Sequence, residues 1–220
     1  MKQNQEAIKR WETDVTNYNK FHLRIRIIAK IINSLDYVQV VDLGCATGTL
    51  RKLLKKQISY IGVDFIEPKN ETDFIFYKCD FNSQSLPFEI QGVKLVVCSG
   101  LLEYVEDVDS FLKNIRLLLG NNGKLIVSYF NFNHISRRVK KITYKNLYFH
   151  PDWRGHYSLN DLKKIIFNSG FEIENILPMG NSFFHSTSVS STITDDDSLK
   201  SINIFSSLTA HQFIFILKSR

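Results

Sequence analysis

The fold of this chain is decided by one stretch, Val40-Val41-Asp42-Leu43-Gly44-Cys45-Ala46-Thr47-Gly48-Thr49. Its first residues are apolar and predict a buried strand, which is followed by a turn of small residues and then by a helix start. Glycines let a backbone pass close to a ligand, and the first N–H groups of a helix have no partner within it. The stretch therefore predicts a ligand-binding turn.

The spacing of small residues in this turn limits the kind of ligand. A dinucleotide-binding turn carries glycine at its first, third and sixth positions. Counted from Gly44, the third and sixth positions hold Ala46 and Thr49, so that pattern fails. Asp42, immediately before the turn, would repel a pyrophosphate. A carboxylate there suits a cofactor that carries an ammonium and a sulfonium.

Outward from this turn, short apolar runs alternate with helical patterns. Strands are predicted at 37–43, 58–64, 73–80, 93–99, 124–130, 171–177 and 211–218, and helices at 20–35, 49–57, 108–119 and 158–170. Asp107 and Ser158 are the expected N-caps of the last two helices. Continuous apolar strands between helices indicate a parallel sheet covered on both faces. The final run leaves no room for a long helix after it, which favours an antiparallel last strand.

Length and composition fit one folded domain. The chain has 220 residues, of which 44% are hydrophobic and 23% charged, and it contains no internal repeat or clear linker. The separated cysteines Cys45, Cys79 and Cys98 are expected to be buried free thiols. We find no apolar run near the roughly 20 residues of a membrane helix and no secretory signal at the start. A cytoplasmic location is therefore expected.

The chain is basic, with a formal net charge of +6 and an isoelectric point near 9.1. This charge is compatible with an anionic partner such as a nucleic acid, a nucleotide-linked substrate or a membrane surface. Nucleic acid is the less favoured partner, because no appended RNA-binding module is recognisable. A basic cluster is interpreted either as a solvated face or as a contact for an anionic substrate; it comprises Arg137, Arg138, Lys140, Lys141 and Lys145.

The turn after the first strand resembles the first motif of class I S-adenosylmethionine-dependent methyltransferases. The usual form of that motif is acid-x-Gly-x-Gly-x-Gly, and here Asp42, Gly44 and Gly48 match it while Ala46 replaces the middle glycine. The resemblance extends over roughly residues 11–218. It implies that the cofactor is S-adenosyl-L-methionine and that these four residues bind it.

The same resemblance implies the fold and its organisation. The expected architecture is α/β and Rossmann-like, with a seven-stranded, mostly parallel sheet, an antiparallel last strand and helices on both faces. Residues 1–220 would form a single methyltransferase domain. Within it, 1–35 would be an N-terminal helical cap and 131–157 a lid over the substrate.

Further cofactor contacts follow from the resemblance at the ends of the second and third strands. Asp64 matches the acid that accepts hydrogen bonds from both ribose hydroxyls, and Phe65 or Ile66 would lie beside the adenine. Asp80 matches the acid that contacts the adenine amino group, with Phe81 next to it.

Two more positions complete the cofactor site that the resemblance implies. Ser99 follows the fourth strand, where such enzymes bring the methyl group near its acceptor. Tyr18 matches an N-terminal aromatic that is often found over the cofactor.

The segment after the fourth strand indicates the subclass. Leu102-Glu103-Tyr104-Val105 resembles the Leu-Glu-His-Val stretch of ubiquinone-type O-methyltransferases and their small-molecule relatives. Their Glu and His have been linked to a metal. Because Tyr104 replaces that histidine, no metal site is predicted here. Glu103 is either a polar group of the site or a capping or solvent-facing residue.

Residues 131–157 are rich in aromatic side chains, and residues 130–157 are the expected acceptor pocket. A hydroxyl acceptor gains from a general base, and histidine is the usual choice. His134, His150 and His156 are therefore the candidate catalytic residues, with hydrogen bonding inside the lid as the alternative role of each.

Three functions remain open at this point. The favoured one is methyl transfer to a small-molecule hydroxyl, in a glycan precursor or a secondary metabolite. The second is an RNA or protein methyltransferase, although no Asn-Pro-Pro-Tyr sequence follows the fourth strand. The third is a catalytically silent binding or scaffold protein, which Ala46, Lys94 and Tyr104 leave open.

Overall fold

The computed structural model describes residues 21–68, 72–83, 86–87, 92–135, 153–181 and 208–220. The elements in these ranges are, in chain order, α1 (Leu23–Ser34), β1 (Gln39–Leu43), β2 (Ser59–Asp64), β3 (Ile75–Lys78), β4 (Val93–Ser99), α2 (Val108–Leu118), β5 (Leu119–Phe130), α3 (Leu159–Asn168), β6 (Phe171–Asn181) and β7 (Ala210–Ser219). The predicted contacts Tyr18 and His150, the basic cluster at 137–145 and the middle of the predicted lid lie outside the described residues.

The seven strands form one sheet in the order β3-β2-β1-β4-β5-β7-β6. The pairs β1–β2, β1–β4, β2–β3 and β4–β5 are parallel, and β7 pairs antiparallel with both β5 and β6. The predicted α/β sheet with an antiparallel last strand is thus confirmed. The direction in which successive strands are added reverses between β1 and β4, and open α/β sheets bind ligands at that point.

Side chains of the central strands alternate between two apolar layers, because successive residues of a strand point to opposite faces. Val41 of β1 packs in the layer that contains Phe111 of α2 and Ile166 of α3. Its neighbour Val40 packs in the other layer, with Ile28 of α1. Both faces of the sheet are therefore covered, as the continuous apolar strands predicted.

The predicted caps and cysteines are confirmed. Ser110 N donates to Asp107 Oδ1 over 3.0 Å at the start of α2, and Asp161 N donates to Ser158 Oγ over 3.1 Å at the start of α3. The three cysteines are buried and form no disulfide within the described residues. None of the helices within the described ranges has the length and apolar character that a membrane span requires. The cytoplasmic location stays a prediction.

The prediction of a helix at 49–57 is wrong. The structure has one 3-10 turn there, Arg51–Leu53, after which the backbone becomes extended. The reason is the side chain of Asn33, which donates to Leu53 O over 2.9 Å and accepts from Lys55 N over 3.0 Å. These are backbone groups that a continuing helix would bond internally.

The start of β5 also differs from the prediction. The strand was expected from residue 124, after an Asn-Asn-Gly stop, and it begins at Leu119. Leu119 is buried and pairs with Val93, and the register then shifts so that Leu95 pairs with Lys124. The polar residues 121 and 122 lie in this irregularity, where the ladder is interrupted.

Replacing the N-cap of α2 tests whether capping stabilises the helix. Asp107→Ala leaves the Ser110 N–H without its side-chain acceptor and should lower the free energy of unfolding by about 1 kcal/mol. Urea unfolding measures this. The matched control is Asn114→Ala at an exposed site of the same helix, expected to change stability by less than about 0.5 kcal/mol. Equal effects of the two variants would contradict the role of the cap.

Candidate active site

A cavity of about 270 Å³ opens at the carboxyl ends of β1 and β4. Its wall includes residues at the ends of these two strands and in the turns that follow, among them Asp42, Gly44, Ala46, Ser99 and Glu103. Four of these were predicted as cofactor contacts. The cavity therefore coincides with the site expected from the sequence and with the point where the strand order reverses.

The turn after β1 is held in a left-handed conformation. Gly44 has a φ of 77°, Ala46 of 48° and Gly48 of 69°. At Gly48 a Cβ would lie 2.5 Å from the ring of Phe74, so a side chain does not fit there. Ala46 occupies the same region at a cost of roughly 1–2 kcal/mol. This cost explains why glycine is usual at that motif position.

Asp64 offsets the strain at Ala46. Its Oδ2 accepts from Ala46 N over 2.8 Å and its Oδ1 from Ile66 N over 3.3 Å. Burial raises the pKa of the Asp64 carboxyl, and N–H donors from Ala46, Ile66 and Phe65 oppose that rise. The carboxylate thus connects the turn to the end of β2. It reaches the cavity through Ala46 and is not itself in the wall.

Asp42 is buried at the end of β1 with one oxygen occupied. Tyr60 donates its hydroxyl hydrogen to Asp42 Oδ2, whereas Oδ1 has no hydrogen-bond partner among the described residues. Burial raises the pKa of Asp42 to about 7, although the Tyr60 hydrogen bond and the charge of Arg24 lower it. The carboxyl is therefore available to a cation inside the cavity.

Two more buried oxygens of the cavity wall lack partners within the described residues. They are Ser99 Oγ at the end of β4 and Glu103 Oε2 in the next turn. Glu103 is 4% exposed, and its other oxygen accepts from Phe130 N over 2.8 Å. Buried polar atoms without partners are rare and costly. Their concentration in one cavity indicates that a bound molecule supplies the partners.

Arg24 of α1 brings a positive charge into the same cavity. This residue was not predicted from the sequence as part of the site. A Cβ at Gly100 would lie 2.8 Å from its guanidinium, and Arg24 Nε is buried without a partner in the described structure. Burial lowers the pKa of Arg24, and the charge of Glu103 raises it. The signal was present: Arg24 is four residues before Ile28 and eight before Ile32, which places it on the buried face of α1.

An aromatic wall borders the cavity beside Glu103. The rings of Phe130 and Trp153 both line the cavity, and their centroids are 5.2 Å apart. Phe132 packs against both, at 5.5 and 5.3 Å. Arg154 N donates to the carbonyl of Glu103 over 2.7 Å, so the turn after β4 positions this segment. Phe132, Trp153 and Arg154 belong to the two described ends of the predicted lid.

The remaining cofactor candidates lie around the neighbouring strands, outside the cavity wall. Phe65 is partly buried after β2. Asp80 follows β3, and its Oδ1 accepts from Asn82 N over 3.1 Å. Phe81 packs edge to face against Phe111, with ring centroids 5.6 Å apart. Their predicted contacts with the adenine stay predictions.

The two described candidate histidines lie off the cavity. His134 is fully buried, its Nε2 lies 2.9 Å from Thr209 O, and its ring stacks on His211 at 4.1 Å. His156 is exposed and meets the edge of Phe132 at 4.7 Å. Neither forms part of the wall. Among the described residues, moreover, no group of three or more His, Cys, Asp or Glu side chains could hold a metal ion.

Asp42→Asn should flatten the pH dependence of stability. Folded Asp42 keeps its proton up to about pH 7, whereas in the unfolded chain the carboxyl has its ordinary pKa of 3.8. The folded state therefore binds more protons between these values, and the free energy of unfolding falls as pH rises through them. Asparagine does not ionise and keeps an acceptor for Tyr60.

Thermal unfolding of the ligand-free chain from pH 5 to 8 measures this difference. The Tm of wild type should decline relative to that of Asp42→Asn as pH rises. Asp36→Asn, at an exposed acid just before β1, should follow wild type. Parallel curves for wild type and Asp42→Asn would contradict the raised pKa.

Comparisons with known proteins identify the family of the chain. Residues 16–176 match the family described as methyltransferase domain. The chain is 28% identical over 122 residues to the ubiquinone biosynthesis O-methyltransferase of Rickettsia typhi, and 31% identical over 121 residues to the protein of the same name from Coxiella burnetii. Each alignment covers 50% of this chain and 50% or 51% of the relative, so the chain spans about half the length of these curated relatives.

Solved structures share the fold. A SAM-dependent methyltransferase from Archaeoglobus fulgidus superposes with a TM-score of 0.62 at 18% identity, over 90% of this chain and 93% of that one. The complex of the Haloferax volcanii Trm112 methyltransferase activator with a methyltransferase gives 0.64 at 17%, over 94% of both chains. The family match covers well over half of the chain. The chain therefore belongs to the methyltransferase-domain family.

Proposed function

We propose that this chain transfers the methyl group of S-adenosylmethionine to a hydroxyl of a small molecule. The observation that carries the proposal is the composition of the cavity. Its wall combines the strained turn and the oxygens of Asp42, Ser99 and Glu103 that lack partners in the described structure with the aromatic residues Phe130 and Trp153. The polar groups suit a charged cofactor, and the rings suit a flat or apolar acceptor.

The charges of the cavity fit the amino-acid end of the cofactor. That end carries an ammonium and a carboxylate, and the cavity offers the free Oδ1 of Asp42 for the first and the guanidinium of Arg24 for the second. Charge-assisted hydrogen bonds of this kind are stronger than neutral ones. When bound, the cofactor supplies an activated methyl group on its sulfonium. The protein has to hold the acceptor in line with that methyl group.

Two observations support a hydroxyl acceptor. Both curated relatives are O-methyltransferases, matched over half of their length. Glu103 also presents an unpartnered carboxylate oxygen beside the aromatic wall, and a carboxylate oxygen can accept a hydrogen bond from a hydroxyl. The basic cluster at 137–145 stays a predicted contact for an anionic acceptor.

Cofactor binding should depend on Asp64. In Asp64→Ala the turn loses the acceptor of Ala46 N–H, and a hydrogen bond to a charged group contributes about 1.5–3 kcal/mol. If most of that energy fixes the turn for binding, the affinity for S-adenosylmethionine should fall roughly 10- to 100-fold. Calorimetric titration with S-adenosylmethionine and S-adenosylhomocysteine measures it, with exposed Asp36→Ala as control.

Each outcome of that titration is informative. Binding to wild type and Asp36→Ala but not to Asp64→Ala supports the cofactor site. Equal affinities in all three would contradict the role of Asp64. If folded wild type bound neither ligand, a silent scaffold protein would become the better interpretation.

The acceptor is tested by transfer of a labelled methyl group. We expect wild type to methylate 4-nitrocatechol and other phenols in preference to matched anilines. Trp153→Ala should raise the KM for the phenol about tenfold, since aromatic pairing contributes up to about 1.5 kcal/mol beyond burial. Its KM for S-adenosylmethionine should stay unchanged, and Trp153→Phe should retain most of the affinity. Methylation of anilines alone, or of RNA or protein alone, would contradict the proposal.

A further inference from the structure

One carboxyl oxygen of Glu103 lies in the cavity wall and has no hydrogen-bond partner among the described residues. Oε1 accepts from Phe130 N over 2.8 Å, and Oε2 is buried without a partner in the described structure. The side chain is 4% exposed and lies in the cavity wall. Because Oε1 is anchored to the end of β5, the carboxyl group cannot turn freely. Oε2 therefore presents one persistent acceptor to whatever enters the cavity.

The position of Glu103 places Oε2 close to the aromatic wall. The residue whose N–H anchors it is Phe130, and its own carbonyl accepts from Arg154 N, next to Trp153. The backbone of Phe130 is thus hydrogen-bonded to Glu103 directly, and that of Trp153 is held near it through its neighbour Arg154. A ring packed against that wall would hold its substituents close to Oε2.

We propose that Glu103 is the general base of the methyl transfer, with Oε2 taking the proton of the acceptor hydroxyl. The inference rests on the proposed hydroxyl acceptor. The hydroxyl oxygen forms a bond to the methyl carbon while the carbon–sulfur bond breaks and its electron pair returns to sulfur. The hydroxyl proton moves to Glu103, which later releases it to water. The products are the methyl ether and S-adenosylhomocysteine.

The electrostatic surroundings of Glu103 suit this role. Burial raises the pKa of its carboxyl, which makes the carboxylate a stronger base, and the charge of Arg24 opposes the rise and favours ionisation. The other titratable groups that interact with it are Cys98 and Tyr129, and burial raises the pKa of both well above the physiological range. Arg24 is therefore the one charge of opposite sign that the described structure sets against Glu103.

The candidate histidines compete poorly for the same role. His134 has its Nε2 against Thr209 O, and His156 is exposed beside Phe132. His150 lies outside the described residues and is the competing base that the experiment must separate.

The test uses the full chain with 4-nitrocatechol as acceptor at saturating S-adenosylmethionine. Glu103→Gln keeps the acceptor for Phe130 N–H and removes the basic oxygen, so kcat should fall about 10²- to 10⁴-fold. Affinity for S-adenosylmethionine should stay within about threefold of wild type. The matched control is Glu106→Gln, an exposed acid three residues further on, which should behave as wild type. His150→Gln should retain turnover.

A second readout does not need turnover. In the complex with S-adenosylhomocysteine, wild type should ionise bound 4-nitrocatechol below the pKa of the free phenol, visible in its absorbance, and Glu103→Gln should not. The wild-type rate should also rise with pH through the ionisation of Glu103, and the variant should lack that limb. If Glu103 had only a structural role, Glu103→Gln would change neither the absorbance of bound 4-nitrocatechol nor the pH dependence of the rate.

Specific results would overturn the inference. Undiminished kcat in Glu103→Gln, equal absorbance changes in both proteins, or loss of activity only in His150→Gln would exclude Glu103 as the base. Loss of S-adenosylmethionine binding in a folded Glu103→Gln would assign Glu103 to the cofactor instead. Wild type that methylates anilines and leaves phenols unmodified would refute the hydroxyl acceptor itself, which is a separate result.

Discussion

The hydrogen bond from Ala46 N to Asp64 Oδ2 is the interaction on which the active site depends. It joins the turn after β1 to the end of the neighbouring strand and holds a non-glycine residue in the left-handed region. Without it the turn would be free to relax toward ordinary backbone angles, and the wall of the cavity would change. Close packing of Phe74 against Gly48 limits the turn from the other side. The shape of the cavity therefore depends on the fixed backbone conformation of this turn.

The cavity concentrates groups that are unfavourable in the empty protein. Asp42 and Glu103 are buried carboxyls with raised pKa values, and Arg24 is a buried cation with a lowered one. Each is only partly compensated by its protein neighbours, and burial of such groups without partners costs stability. A ligand with both an ammonium and a carboxylate relieves that cost. Binding and stability are therefore coupled at this site.

Local patterns in the sequence predict most of the fold. The strands follow from apolar runs, the ligand-binding turn follows from the small residues at 44–48, and both caps follow from single polar residues. The helix at 49–57 fails because Asn33, more than fifteen residues earlier, captures its backbone groups. The burial of His134 is likewise unpredictable locally, since its partner Thr209 is 75 positions away.

The residues of the site also divide into those that local sequence predicts and those that it does not. Asp42 and the turn were predictable because they form one motif of consecutive residues. Arg24 was not among the predicted site residues, although its spacing from the buried Ile28 and Ile32 places it on the same face of α1. The anchoring of Glu103 by Phe130 joins positions 27 residues apart and needs the tertiary structure.

The place of β7 in the sheet has a consequence for how the chain is made. β7 follows β6 in the sequence, yet it lies between β5 and β6 and pairs with both. During synthesis, β6 emerges from the ribosome before its neighbour in the sheet exists. The sheet therefore cannot close until residues 210–219 have been translated, and until then the edges of β5 and β6 are open to chaperones or to other chains.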